Sequence, residues 1–287
     1  SFALIEMCVA IAEGVPWLGF GCAKGRVLYV NLELDRASCL HRFRDVYAAM
    51  DVEPANLANI DVWNLRGKSK PMDKLAPSLI RRALKTRPIA VIIDPIYKVI
   101  TGDENSADQM AAFCNQFDRV ATELGCAVVY CHHHSKGSQG GKRSMDRVSG
   151  SGVFARDPDA LLDMIELEQT DALRQQQEDA AVCAACEAVM SEIGPDGWDD
   201  VISPDDRVTA KAFLSGAKGM LGHGDDAEKR LLDAVYAARQ AAKAKTAWRI
   251  EGTLREFPRF DPLNLWFDYP VHKVDATGAL SDIDPEG

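Results

Sequence analysis

The run Ile89-Ala90-Val91-Ile92-Ile93-Asp94 limits what this chain can fold into more than any other segment. An unbroken, mostly β-branched stretch has no polar face to offer water, so as a strand it must be covered on both sides. Strands of that kind belong to parallel sheets flanked by helices. A carboxylate at the carboxyl end of such a strand lies where open α/β sheets bind their ligands. With Pro95 next, Asp94 also reads as a turn or capping residue, and the run alone does not separate the two.

The segments around the run repeat its logic. Residues 1–13 predict a helix with Phe2, Ile5, Val9 and Ala12 on one face, stopped at Gly14. Strands are predicted at 26–32, 60–64, 89–94 and 126–132, and helices at 35–50, 72–85 and 106–124. A further strand is predicted at 160–167. This β-α-β-α order predicts an α/β fold: a mostly parallel, twisted sheet with helices on both faces. After Glu168 the pattern changes. Ala-rich, charged segments at 171–193 and 225–245 read as long helices, separated by a Gly-, Pro- and Asp-rich stretch, 194–224. Alternating β-type residues return at 248–257, 264–269 and 271–275. The expected layout is a core over 1–168, a helical insertion over 169–245, closing strands over 246–275 that rejoin the first sheet as an antiparallel edge, and a tail over 276–287. A separate C-terminal domain after Glu168 is the rival layout.

Composition narrows the partners. The formal net charge of −10 excludes a uniformly basic surface, so any nucleic-acid contact must be local. No apolar stretch approaches the ~20 residues of a membrane-spanning helix. The eight Cys sit mostly inside apolar runs, which predicts a reduced, cytoplasmic protein without disulfides. Cys183 and Cys186 read as two core-facing thiols of a helix rather than as half of a zinc site. Trp17 and Trp198 read as packing residues.

Four features fall on one predicted rim of the sheet: Ser1 at the start of the first helix, Glu33 after the strand 26–32, Asp94, and His132-His133-His134 after the strand 126–132. Each acidic residue alone also fits a cap or turn. The three His cannot all grip one ion easily, because successive residues of an extended chain point to opposite faces. Beyond them, residues 135–152 are Gly-, Ser- and Lys-rich. Lys136, Lys142, Arg143 and Arg147 make this stretch a basic loop, which reads either as solvated surface or as a reach toward phosphates.

Together these residues resemble the RepA-type RecA-like hexameric helicases and ATPases of plasmids and other mobile elements, a P-loop NTPase family. The resemblance rests on Ser1-Phe2-Ala3-Leu4, residues 28–33, Ile92-Ile93-Asp94, His132 to Gly137, and Ser149-Gly150-Ser151-Gly152-Val153-Phe154. It implies a RecA-like core that binds ATP and Mg²⁺ and hydrolyses ATP. It implies that Ser1 ends the Gly-x-x-x-x-Gly-Lys-[Ser/Thr] loop as a Mg²⁺ ligand, that Asp94 is the second Mg²⁺-side residue, and that Glu33 orients and deprotonates the attacking water. His132 or His133 would sense the γ-phosphate. Lys136, Lys142 and Arg143 would contact DNA, and Arg147 or Arg156 would complete a neighbouring subunit's site. Arg156, flanked by Asp157 and Asp159, also reads as a structural ion pair. The implied partners are single-stranded DNA, further copies of the chain in a hexameric ring, and a replication initiator or primase, with no membrane. The phosphate-binding loop itself is not in the sequence, and the expectation is that it lies upstream of Ser1. A nucleotide-binding regulator or a DNA-binding ATPase without unwinding activity is the alternative.

Overall fold

The computed structural model describes residues 1–100, 102–132, 153–222, 224 and 226–284. The chain divides into two compact units, Ser1–Glu166 with Trp248–Ala276, and Leu167–Ala247 with Thr277–Ile283.

The larger unit begins with helix α1 (Phe2–Glu13), strand β1 (Val27–Asn31), helix α2 (Arg36–Ala49) and strand β2 (Ile60–Asn64). Helix α3 (Met72–Ala83), strand β3 (Ala90–Asp94), helix α4 (Ala107–Leu124) and strand β4 (Ala127–Tyr130) follow. The four strands form a parallel sheet in the order β2-β1-β3-β4. Every residue of β1 and β3 is buried. Alternation along the strands divides the core in two. Val27, Tyr29, Ala90 and Ile92 pack with Ile5, Cys8 and Val9 of α1 and with Cys39, Phe43 and Val46 of α2. Leu28, Val30, Val91 and Ile93 pack on the opposite side with Leu75 and Leu79 of α3 and Phe113 and Phe117 of α4. The expected parallel sheet with helices on both faces is present. Right-handed crossovers explain the sidedness: the chain steps one way from β1 to β2 and the other way from β2 through β3 to β4, so the crossover helices change face.

The closing strands depart from the expected layout. Strands β5 (Ala160–Glu166), β6 (Thr246–Leu254), β7 (Leu263–Asp268) and β8 (Val271–Val274) form a second, separate antiparallel sheet in the order β5-β6-β7-β8. They do not extend the first sheet. The cause is the partner available to β6: β5 pairs with it along its whole length, from Ala160↔Leu254 to Glu166↔Trp248.

Helix α1 lies between the two sheets. Beyond the residues packed on the first sheet, its Ala10 joins Trp17, Ile250 and Leu265, with Ala3 and Met7 alongside. Coverage on two sides explains why FALIEMCVAIAE is apolar nearly all round rather than on one face. Of its two carboxylates, Glu13 ends the helix and Glu6 is only 2% exposed. Its Oε1 pairs with Nδ1 of His272 at 2.7 Å and accepts from the His272 backbone N–H at 3.1 Å, tying α1 to β8. Within the second sheet, a Cβ on Gly252 would strike the ring of Phe260, so only glycine lets that ring lie against β6.

The smaller unit is helical. Helix α6 (Asp171–Ile193) contributes Val182, Cys186 and Met190 to a core shared with Phe213 of α9 (Ala210–Leu221) and Leu231 and Val235 of α10 (Asp226–Ala244). Cys183 packs against that core from its edge. Trp198 belongs to the short helix α7 (Trp198–Val201) and stacks on Phe213 with ring centroids 5.9 Å apart. Helix α8 (Pro204–Arg207) follows. The Gly-, Pro- and Asp-rich stretch 194–224 thus contains helices α7, α8 and α9. Gly216 of α9 serves close approach: a Cβ there would lie 3.2 Å from Ile202 Cδ1. The eight cysteines are free thiols. Among the described residues, no helix is long and apolar enough to cross a membrane.

Candidate functional site

The parallel register gathers the site. Asn64, Asn31 and Asp94 lie side by side at the carboxyl ends of β2, β1 and β3, and Cys131 follows the Ile93↔Tyr130 pair on the next strand. The chain leaves β1 toward one edge and returns to the other side at β3. The gap between these two strands is therefore the topological switch point, where α/β sheets bind ligands.

Asp94 is 4% exposed. It falls on the same side of the sheet as Ala90 and Ile92, which faces α1. Its Oδ2 accepts from the Tyr29 hydroxyl at 2.5 Å and its Oδ1 from the Cys131 thiol at 2.9 Å. The Ser1 hydroxyl also hydrogen-bonds to it. Burial pushes the Asp94 pKa up. The charge of the Ser1 α-amino group, then the bonds from Cys131, Tyr29 and Ser1, outweigh that and hold it below the usual carboxylate value. The amino-group charge acts only where Ser1 is the first residue of the chain; the hydrogen bonds do not depend on it. Burial first, then the neighbouring Asp94 carboxylate, pushes both Tyr29 and Cys131 far above their ordinary values, so both remain protonated donors. Cys39 is pushed up to about 11, mainly by burial and by Asp94. Ser1 and Asp94, assigned to one rim by sequence, are thus in contact, and Asp94 is no simple turn residue.

Glu33 is exposed two residues beyond the end of β1. The loop carrying it is built by Asn31, which is 1% exposed. Asn31 Oδ1 accepts from the backbone N–H of Leu34 at 2.9 Å and of Glu33 at 3.3 Å. Its Nδ2 donates to the Leu34 carbonyl and to Asn64 Oδ1, each at 2.8 Å. Every hydrogen-bonding site of that amide is used in fixing the turn, as a buried amide requires. Tyr97, in the 3₁₀ turn Ile96–Lys98 after β3, donates to Glu33 Oε1 at 3.3 Å and links the two loops across the switch point.

His132 follows β4, and its ring meets Phe154 edge-on at 4.7 Å. Phe154 comes from α5 (Val153–Arg156) and is buried with the α4 face of the sheet. His133, Lys136, Lys142, Arg143 and Arg147 lie outside the described residues. Arg156 is exposed, and the ion pair suggested for it with Asp159 goes elsewhere. Asp159 pairs with Arg255 at 3.2 Å, and the same guanidinium donates to the carbonyls of Arg156 and Asp157. Asp159 is taken by Arg255, a residue 96 positions away, which spacing could not reveal.

Tyr29, Asn31, Tyr97 and Cys131 were not singled out by sequence. The first two are hidden inside the apolar run of β1, where Tyr and Asn carry no signal until β1, β3 and β4 are set in register.

Residues 1–139 match the family model of the AAA domain. The AAA domain is a P-loop ATPase family found in helicase-like proteins, and the matched stretch holds the whole parallel sheet with Ser1, Glu33 and Asp94. The match supports nucleotide binding and ATPase activity in general. It ends before Lys142, Arg143 and Arg147 and does not reach the second sheet or the helical unit.

Proposed function

We propose that this chain carries the nucleotide-hydrolysing core of an ATP-driven, ring-forming DNA motor of the RepA type. It would couple hydrolysis to binding and movement along single-stranded DNA. The observation that supports this most is the meeting of Ser1 and Asp94 at the switch point, with Glu33 on the adjacent loop. A hydroxyl and a buried, ionised carboxylate are hard oxygen ligands that suit Mg²⁺, which takes its remaining ligands from water and substrate phosphates. Mg²⁺ bound with ATP neutralises charge on the phosphates during transfer.

The chain's own residues supply the rest. Ser1 and Asp94 hold the metal side of the site. Glu33, exposed and fixed by the Asn31 turn, takes the proton of the attacking water. His132 or His133 carries the state of the site toward the basic loop. Lys136, Lys142 and Arg143 hold the DNA backbone, and Arg147 or Arg156 reaches the neighbouring subunit's site in a hexameric ring. A replication initiator or primase is the implied protein partner.

The test is ATP hydrolysis by the full-length protein with and without single-stranded DNA, alongside strand separation of a forked duplex. Stimulated hydrolysis with unwinding supports a motor. Stimulated hydrolysis without unwinding places the protein among DNA-binding ATPases, and hydrolysis unaffected by DNA overturns the DNA reading.

A further inference from the structure

The hydrogen bonds around Asp94 exceed what packing needs. Tyr29 lies in the core with its ring edge-on to Phe43, centroids 5.4 Å apart. A phenylalanine would fill the same space, so the hydroxyl serves something other than volume. Cys131 is likewise a small side chain at the end of a strand, and its thiol points at the other oxygen of the same carboxylate. A buried Asp acting only as a turn or cap residue is satisfied by nearby backbone N–H groups. Here the carboxylate takes side-chain donors from β1 and from the residue after β4, the two strands that flank its own.

We propose that Tyr29 and Cys131 are positioning residues for Mg²⁺: each donates to a different oxygen of Asp94, and together they clamp the carboxylate in the orientation from which it binds the metal. This rests on the reading of Asp94 as a Mg²⁺ ligand. An ionised carboxylate has about four acceptor sites, so the donors Tyr29 and Cys131 fix its plane and, with the Ser1 hydroxyl also bonded, leave a site for the metal. A clamp from both neighbouring strands ties the orientation to the sheet rather than to a loop, and rigid elements hold ligands more accurately. Removing hydrogen-bond partners of a metal ligand typically lowers metal affinity about 10–100-fold.

The test is Mg²⁺-dependent binding of a fluorescent ADP analogue to the full-length protein, with Mg²⁺ titrated at fixed nucleotide and melting temperature recorded. Tyr29→Phe is expected to raise the half-saturating Mg²⁺ concentration about 10-fold or more. Cys131→Ala is expected to shift it in the same direction, and Cys131→Ser, which keeps a donor, to restore it. The Cys131 pair decides the matter if Tyr29→Phe fails to fold. Asp94→Asn separates the two levels of the argument. If Asp94→Asn weakens Mg²⁺ dependence while Tyr29→Phe and Cys131→Ala leave it unchanged, the positioning role is overturned and the ligand reading stands. If Asp94→Asn leaves it unchanged, the ligand reading falls and the positioning role falls with it.

Discussion

In the parallel sheet, every residue of β1 and β3 is buried, and the amide and carboxylate among them, Asn31 and Asp94, close their strands. In the antiparallel sheet, buried and partly exposed positions are interspersed, and the buried carboxylate, Asp163, lies within β5. The difference follows from what covers each strand. A strand covered on both faces can place an amide or carboxylate where it ends, and a mid-strand hydroxyl such as that of Tyr29 where it reaches such a group, so its chemistry collects on one rim. The antiparallel strands instead cover α1 and can carry polar residues along their length. The first sheet should therefore answer to substitution in binding and turnover, and the second in stability.

The largest stability effect should come from the link between α1 and β8. His272→Ala leaves the Glu6 carboxylate buried beside a single backbone donor, and losing one partner of a buried pair costs about 3–5 kcal/mol. Chemical denaturation of the full-length protein should show that loss, with turnover per folded molecule kept. A loss of turnover without a loss of stability would break the division between the sheets. Asn31→Ala should cost less stability but, unlike His272→Ala, should lower turnover. It leaves buried groups of the Glu33 turn without partners, worth about 1–3 kcal/mol, while displacing Glu33 should lower turnover up to about 100-fold, with nucleotide affinity kept. The smallest effect is electrostatic. Burial tends to raise the Glu13 pKa, but bonds from Asn56 and Tyr47 and the nearby Lys24 hold it below its reference value of 4.5. A carboxyl depressed in the folded state adds stability above its unfolded pKa and loses it as pH falls through the folded value. Unfolding free energy followed by denaturation below pH 4.5 should thus fall less steeply for Glu13→Gln than for the unaltered protein; identical slopes would remove Glu13 as the cause.

The same contrast explains what could be read from the residues in order. Runs such as 89–94 announce strands buried on both faces through their short length, their β-branched residues and the Pro that follows; an apolar run by itself does not, since Met7–Ala12 is as apolar and lies in α1. Ser1, Glu33 and Asp94 could be put on one rim because strand ends in a parallel sheet lie together. The second sheet was placed wrongly because β5 and β6 are separated by the whole helical unit, and nothing local tells β6 whether its partner is β4 or β5. Helix α9 carries no clear sequence signal because Gly216 and Gly219 disfavour helix; at Gly216 a neighbour, Ile202, needs the space, while a Cβ at Gly219 would meet nothing. The clamp on Asp94 was hidden because Tyr29 and Cys131 read as core residues. Only the register turns them toward the carboxylate.

We propose Glu33 as the base of a hydrolytic nucleotide site on the carboxyl rim of the parallel sheet. Steady-state ATP hydrolysis by full-length Glu33→Gln protein, with ATP binding measured in parallel, tests it most directly. A positioned general base contributes about 10²–10⁴-fold, so hydrolysis should fall by at least about 100-fold while ATP still binds. Hydrolysis at the unaltered rate would contradict the claim.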